Sequence, residues 1–368
     1  MNTMSTHSAP IQRPAAEQLY KDELEHLHEW DKHPRPAGWQ LSPIAVEKFV
    51  AGNTEKGAPN IQRKFVAPRD LLTRVIVGLL TNRGAMLVGE PGTAKSWLSE
   101  LLSAAISGSS TLLIHGGAIS SINQLMYSWN DALLEKHGPC QDALVPGPLY
   151  HAMAQGRILR FEELARAPIA LQDALLSVLS ERQFSIPELN EDSILFAKAG
   201  FNVVATSNTV DQGLQTMSAA LKRRLNFETI YPIRNLDDEV DVVQREAHKL
   251  LLALGIDTEL PEELIICLVT MFCELRNGET IDGRSTDRIT GTSMSTAEAV
   301  SVAHALGAHA HFYRDGAVDV KDLVGFLVGA TLKDNPNDRR RLRHYFDLEV
   351  AHKPDPIWRK VYRYKHLI

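Results

Sequence analysis

Residues 89–96 read GEPGTAKS, a run whose residue types suit the holding of a polyphosphate. Gly89 and Gly92 let the backbone turn its N–H groups towards phosphate oxygens, with Glu90, Pro91 and Thr93 completing the loop. Lys95 can reach the β and γ phosphates, and the Ser96 hydroxyl suits a magnesium ion. The turn that follows, starting with Trp97, begins a helix whose N-terminus adds partial positive charge. Ala94 stands before the lysine, where such loops usually have glycine. A methyl there is harmless if the residue already has negative φ, which is the expectation at this position.

Phosphate chemistry also needs an acid for the metal shell and a base for water, and RILRFEELARAP offers both. Glu162 is the candidate metal-shell acid, one methylene longer than the usual aspartate. Glu163 is the candidate for polarising the attacking water. FNVVATSN ends at Asn208, whose amide both donates and accepts and so can hold that water or the γ phosphate. In ALKRRLNFE, Arg223 and Arg224 are placed to offer a guanidinium to a neighbouring subunit's nucleotide, stabilising transition-state charge in trans.

These residues need elements to carry them. AMLV precedes the loop as a strand, and Leu98, Leu101, Leu102, Ala105 and Ile106 follow it at helical spacing. From about Phe65 to Pro232, short apolar runs alternate with helix-period segments, the pattern of a parallel sheet flanked by helices. One such helix carries Leu171, Ala174, Leu175, Val178 and Leu179 on one face. Beyond YPIRNLDDEV the pattern is helical, with Leu264, Leu268, Met271, Phe272 and Leu275 forming one stripe after Pro261. Asp319 is expected to cap a later helix, with Asp322 answering it in a carboxylate version of the capping box. The expected division is an N-terminal extension over 1–60, a sheet-centred core domain over 61–232, a small helical domain over 233–333 and a basic, aromatic tail over 334–368.

The chain's 368 residues, 44% apolar, suffice for two cores. A formal net charge of -6 gives no general attraction to nucleic acid. Three cysteines in no paired spacing read as reduced thiols, and neither a signal peptide nor a membrane span is evident, so a cytoplasmic location is expected.

GEPGTAKS with alanine before lysine, EELARAP followed by LQDALLSVLSERQ, then ATSN and LKRRL, occur here in one order. Together they resemble the MoxR branch of the AAA+ ATPases, from about Asn60 to Lys333. The resemblance implies a sheet-centred ATPase domain with a helical lid, ring-shaped hexamers, and ATP with magnesium bound between subunits. It implies pore-facing hairpins at EKHGPCQDALVPGPLY and near IPELNEDSILF. Carried over, it makes Lys95 and Ser96 the phosphate and magnesium groups, Glu162 the metal-shell acid, Glu163 the base, Asn208 the sensor and Arg224 the better finger. Relatives often begin the lid helix with arginine; this chain has Ser295, leaving Arg288 or Arg284 as substitutes. The implied activity is ATP-driven remodelling of a protein partner, with a von Willebrand factor A domain protein as the typical companion in enzyme maturation or metal-cofactor insertion. Two other readings stay open: an ATP-binding scaffold with weak hydrolysis, and a DNA-associated translocase. The basic tail is expected to dock between subunits.

Overall fold

The computed structural model describes residues 12–190, 193–209, 217–292, 294–333 and 335–368. Its strands are β1 (Gly84–Gly89), β2 (Leu113–His115), β3 (Tyr127–Trp129), β4 (Leu144–Pro146), β5 (Ile158–Glu162), β6 (Gln183–Ser185), β7 (Ile194–Phe196), β8 (Asn202–Asn208) and β9 (Leu225–Ile230). Five of them form one sheet in the order β2-β5-β8-β1-β9, every neighbouring pair parallel. The runs AMLV, TLLIH, RILRF and FNVVATSN supply four of these strands, as their largely apolar character predicts for a parallel sheet flanked by helices. β9 was not anticipated. Its sequence LNFETI is buried only at its two ends, as fits the sheet's edge.

Alternation along the strands divides the core. Ala85, Leu87, Ile158 and Val204 face the layer made by α3 (Pro43–Ala51), α4 (Arg69–Leu80) and α5 (Lys95–Ser107). Met86, Val88, Leu159, Phe161, Val203 and Ala205 face Leu149, Met153, Leu171, Leu175 and Leu221 of the opposite layer. That layer comprises α8 (Pro148–Gln155), α9 (Ile169–Glu181) and α10 (Ala219–Arg223), with the short α6 (Ile122–Leu125) and α7 (Asp131–His137) earlier in the chain. β6 pairs with β7 as the second expected hairpin, whereas the first differs from expectation: β4 pairs antiparallel with β3, which lies ahead of EKHGPCQDALVPGPLY, with α7 between them. Residues 191–192 of the second lie outside the described residues.

The structure draws the unit boundaries differently from the expected division. One compact unit spans 1–89 and 95–230; the other holds 90–94 and 231–368. The segment read as an extension is packed: α1 (Ala16–Leu19), α2 (Lys21–Trp30) and α3 bury Ala16, Tyr20, Leu27, Val46 and Phe49 in the cluster that holds Leu98 and Leu101 of α5. Prolines and turns break its apolar residues into short pieces, which hides a continuous face from a periodicity reading. Its first 11 residues lie outside the described ones.

The second unit is helical: α11 (Leu236–Ala253), α12 (Glu262–Asn277), α13 (Thr296–Tyr313), α14 (Val320–Thr331), α15 (Asn337–Leu348) and α16 (Pro356–Arg363). The predicted stripe on α12 is wholly buried, and the basic tail is not separate from it. Leu342, Tyr345, Phe346, Trp358 and Val361 belong to the same core. Asp319 caps α14 by accepting from the Lys321 N–H, but Asp322 does not answer it. The Asp322 carboxylate turns instead to Arg314, at 2.7 Å.

Candidate active site

The register of the sheet assembles the site. Gly89 pairs with Asn208 across β1 and β8, while Phe161 pairs with Ala205 across β5 and β8. The phosphate loop, Glu162 and Asn208 therefore emerge together at the carboxyl edge, where open α/β sheets bind ligands. Lys95 opens α5, is 7% exposed, and donates from Nζ to the Gly89 carbonyl at 3.1 Å. Thr93 Oγ1 donates to the Glu90 carbonyl at 2.9 Å, closing the loop on itself.

Ala94 departs from expectation. Its φ is 60°, in the left-handed region, so its methyl is not harmless. The turn into α5 demands a backbone that glycine adopts freely, and alanine holds it against steric strain. Gly92 has φ 79° and a second constraint: a Cβ there would lie 2.2 Å from Ser295 Cβ. Trp97 turns its side chain away from phosphate chemistry. Its indole N–H donates to the Lys64 carbonyl at 3.2 Å and its ring leans on Tyr20, leaving only its backbone for the loop.

Glu162 is 2% exposed and saturated with donors. Ser96 Oγ and Thr206 Oγ1 each donate to its Oε2 at 2.6 Å, Ser99 Oγ donates to Oε1 at 2.6 Å, and Arg160 Nη2 lies 3.3 Å from Oε1. Burial acts to raise the pKa, but the three hydroxyl bonds and the Arg160 charge outweigh it and hold the carboxyl below the ordinary carboxylate value. The acid is ionised and fixed. Ser99, Arg160 and Thr206 were missed in the sequence reading; a charged residue inside an otherwise apolar strand was the available signal for Arg160.

Glu163 is half-buried at φ 54°, its N–H donating to Thr206 Oγ1 at 3.1 Å and its carboxylate 3.3 Å from Arg166 Nη1. Asn208 is half-buried, and the next residue, Thr209, donates its N–H to the Gly89 carbonyl at 3.1 Å. Arg223 and Arg224 lie elsewhere. Both are exposed at the start of β9, where the Gly84 N–H donates to the Arg224 carbonyl, level with the opposite end of β1. Arg224 Nε donates to Ser180 Oγ at 3.0 Å.

In the second unit, a cavity of about 440 Å³ is lined by Glu90, Tyr231, Arg234, Arg276 and Arg288, among others. Arg288 is exposed at its wall, whereas Arg284 is taken up by Glu349 at 2.9 Å. Ser295 is the cap of α13.

Comparison with known proteins agrees with this geometry. Residues 84–225 match the AAA domain of the dynein-related subfamily, and 237–368 match the YehL-like AAA+ ATPase C-terminal domain. The chain is 48% identical over 365 residues to the uncharacterised protein YehL of Escherichia coli, covering 99% of each. This chain belongs to the YehL family of MoxR-type AAA+ ATPases. The YehL-type chain is also 23% identical over 216 residues to the chaperone MoxR1 of Mycobacterium tuberculosis, covering 58% of this chain and 54% of that one. Among solved structures, NtrX of Brucella abortus in complex with ATP superposes with a TM-score of 0.50 at 15% identity, over 81% of this chain and 59% of that chain, a likeness of fold alone. The second match explains the packed tail: in the YehL family the lid and the final 35 residues form one domain. Among the described residues no helix is long and apolar enough to cross a membrane.

Proposed function

We propose that this YehL-type ATPase hydrolyses ATP with magnesium in a self-assembled ring, and that the cycle remodels a protein partner. The observation that carries this reading is the division of groups between the two ends of one sheet. Lys95, Ser96, Glu162, Glu163 and Asn208 lie at the carboxyl edge, and Arg224 lies at the other. A six-residue strand separates them by roughly 16–20 Å, too far for Arg224 to serve its own loop. A neighbour's nucleotide is the partner that such an arginine fits, as in trans fingers generally.

Ser96 Oγ and the Glu162 carboxylate are hard oxygen donors 2.6 Å apart, a donor set that suits magnesium. The ion, when bound, neutralises charge on the outer phosphates. Lys95 holds the γ phosphate, Glu163 polarises water, and Asn208 orients it. Arg223 is the lesser finger candidate, and Arg288, at the wall of the cavity in the second unit, is the candidate lid arginine. The likeness to a relative named as a chaperone supports a protein client; a von Willebrand factor A domain companion in maturation or metal insertion is what the family resemblance implies. The β3–β4 and β6–β7 hairpins are the segments that would engage it.

One observation favours a scaffold that binds ATP and turns over little: the Glu163 carboxylate is ion-paired with Arg166, which competes with its use as a base. Steady-state hydrolysis across protein concentrations separates the two. Turnover that rises cooperatively, vanishes in Glu163→Gln with ATP binding retained, and vanishes together with binding in Lys95→Ala establishes the motor; wild-type turnover no faster than Glu163→Gln establishes the scaffold.

A further inference from the structure

A buried strand in the middle of a parallel sheet has little use for a guanidinium, yet Arg160 of β5 is 6% exposed. Strand alternation puts it on the same face as Glu162, against α5. Its guanidinium makes four hydrogen bonds and one further ion pair. Nε donates to Ser99 Oγ at 3.1 Å, Nη1 to the Ser110 carbonyl at 3.1 Å and Nη2 to the Ser96 carbonyl at 3.1 Å. Nη2 also reaches Glu162 at 3.3 Å, and Nη1 lies 3.5 Å from Glu100. Three of these contacts, to Ser96, Ser99 and Glu100, touch the phosphate-loop helix, and a fourth touches the acid that Ser96 bonds.

We infer that Arg160, with Ser99, is a positioning residue for the metal shell. The fork fixes the longer Glu162 side chain against Ser96, so that both oxygens are presented from one rigid frame. Ser99 Oγ takes the second carboxylate oxygen and Arg160 steadies Ser99 in turn, which an aspartate one methylene shorter would not reach. Glu100 ties this frame outward, accepting from the Ala16 N–H at 3.2 Å and from Arg13 at 2.8 Å, so the N-terminal segment belongs to the same network. The inference rests on the reading of Glu162 as the metal-shell acid.

The test is ATP affinity by calorimetry with and without magnesium, alongside kcat and the magnesium activation constant, for wild type, Arg160→Met, Arg160→Lys and Ser99→Ala. The expected result is that Arg160→Met loses about tenfold or more of the magnesium-dependent gain in ATP affinity, the scale of a lost charge-assisted bond, while metal-free affinity stays within about twofold. Arg160→Lys should recover part of the gain, because it keeps the charge and loses the fork. If Arg160→Met does not fold, Ser99→Ala decides, with an expected loss of about threefold to tenfold in the same gain. Equal magnesium dependence in wild type and Ser99→Ala overturns the inference, as does a fall in metal-free affinity that matches the fall with metal. Wild type that binds ATP equally with and without magnesium removes the reading beneath it instead, and the inference falls with it.

Discussion

Ala94 shows what a single methyl costs at a phosphate loop. At φ 60° an alanine is strained by roughly 1–2 kcal/mol, against the entropy of about 0.5–1 kcal/mol that a glycine would lose on folding. Ala94→Gly is therefore expected to raise unfolding free energy by up to about 1.5 kcal/mol without weakening ATP binding. Denaturant melts and an ATP titration check this; a loss of stability beyond that size means the loop relies on the methyl. Glu162 makes the opposite point. Its carboxylate is surrounded by hydroxyls and one guanidinium, so its extra methylene is absorbed by local partners rather than by a displaced acid.

At the level of elements, the start of α13 is the piece that meets the loop. Ser295 caps it in a reciprocal box with Glu298, whose Oε2 accepts from the Ser295 N–H at 2.9 Å and whose Oε1 accepts from Thr292 Oγ1 at 2.6 Å and from Lys333. Burial raises the Glu298 pKa, but Lys333, Thr292 and the Ser295 N–H override it and bring it from 4.5 to about 2. A depressed carboxylate stabilises the fold fully above its unfolded value of 4.5 and loses that contribution as pH falls through about 2. Glu298→Ala should cost about 1–2 kcal/mol at neutral pH, the scale of a lost cap and its hydrogen bonds. That difference from wild type should shrink as denaturation is repeated at pH values from 4.5 downward; a constant difference would assign the effect to packing.

For the whole molecule, Arg224 and the phosphate loop lie at opposite ends of one sheet, so a single copy is incomplete for the proposed hydrolysis. Arg224→Ala alone is expected to bind ATP normally and to lose turnover by about a thousandfold or more, the usual worth of a transferred arginine. Mixed with Glu163→Gln it should regain activity, because one protomer's intact arginine then meets another's intact glutamate. Random assembly of equal amounts sets the ceiling at about a quarter of wild-type interfaces, if each needs one donor and one acceptor. Mixtures that stay as inactive as their components would show that the arginine does not act between copies.

The glycine-bearing loop, the acidic pair, the strand-end Asn208 and the alternation of strands with helices were all legible in the sequence. Each is a local pattern, set by neighbours a few residues apart and by periods of two or 3.6. Ala94 was misjudged because φ at a loop-to-helix junction depends on how the loop closes, not on which residue occupies it. The partners of Glu162 lay out of reach for a related reason: Ser99 and Thr206 are 63 and 44 residues away, joined only by strand register and by the docking of α5. β9 and α1–α3 were hidden because their burial is partial or split among short segments, which only tertiary packing sums into a face. Contiguous residues determined which chemical groups are present; long-range register and packing decided which of them meet.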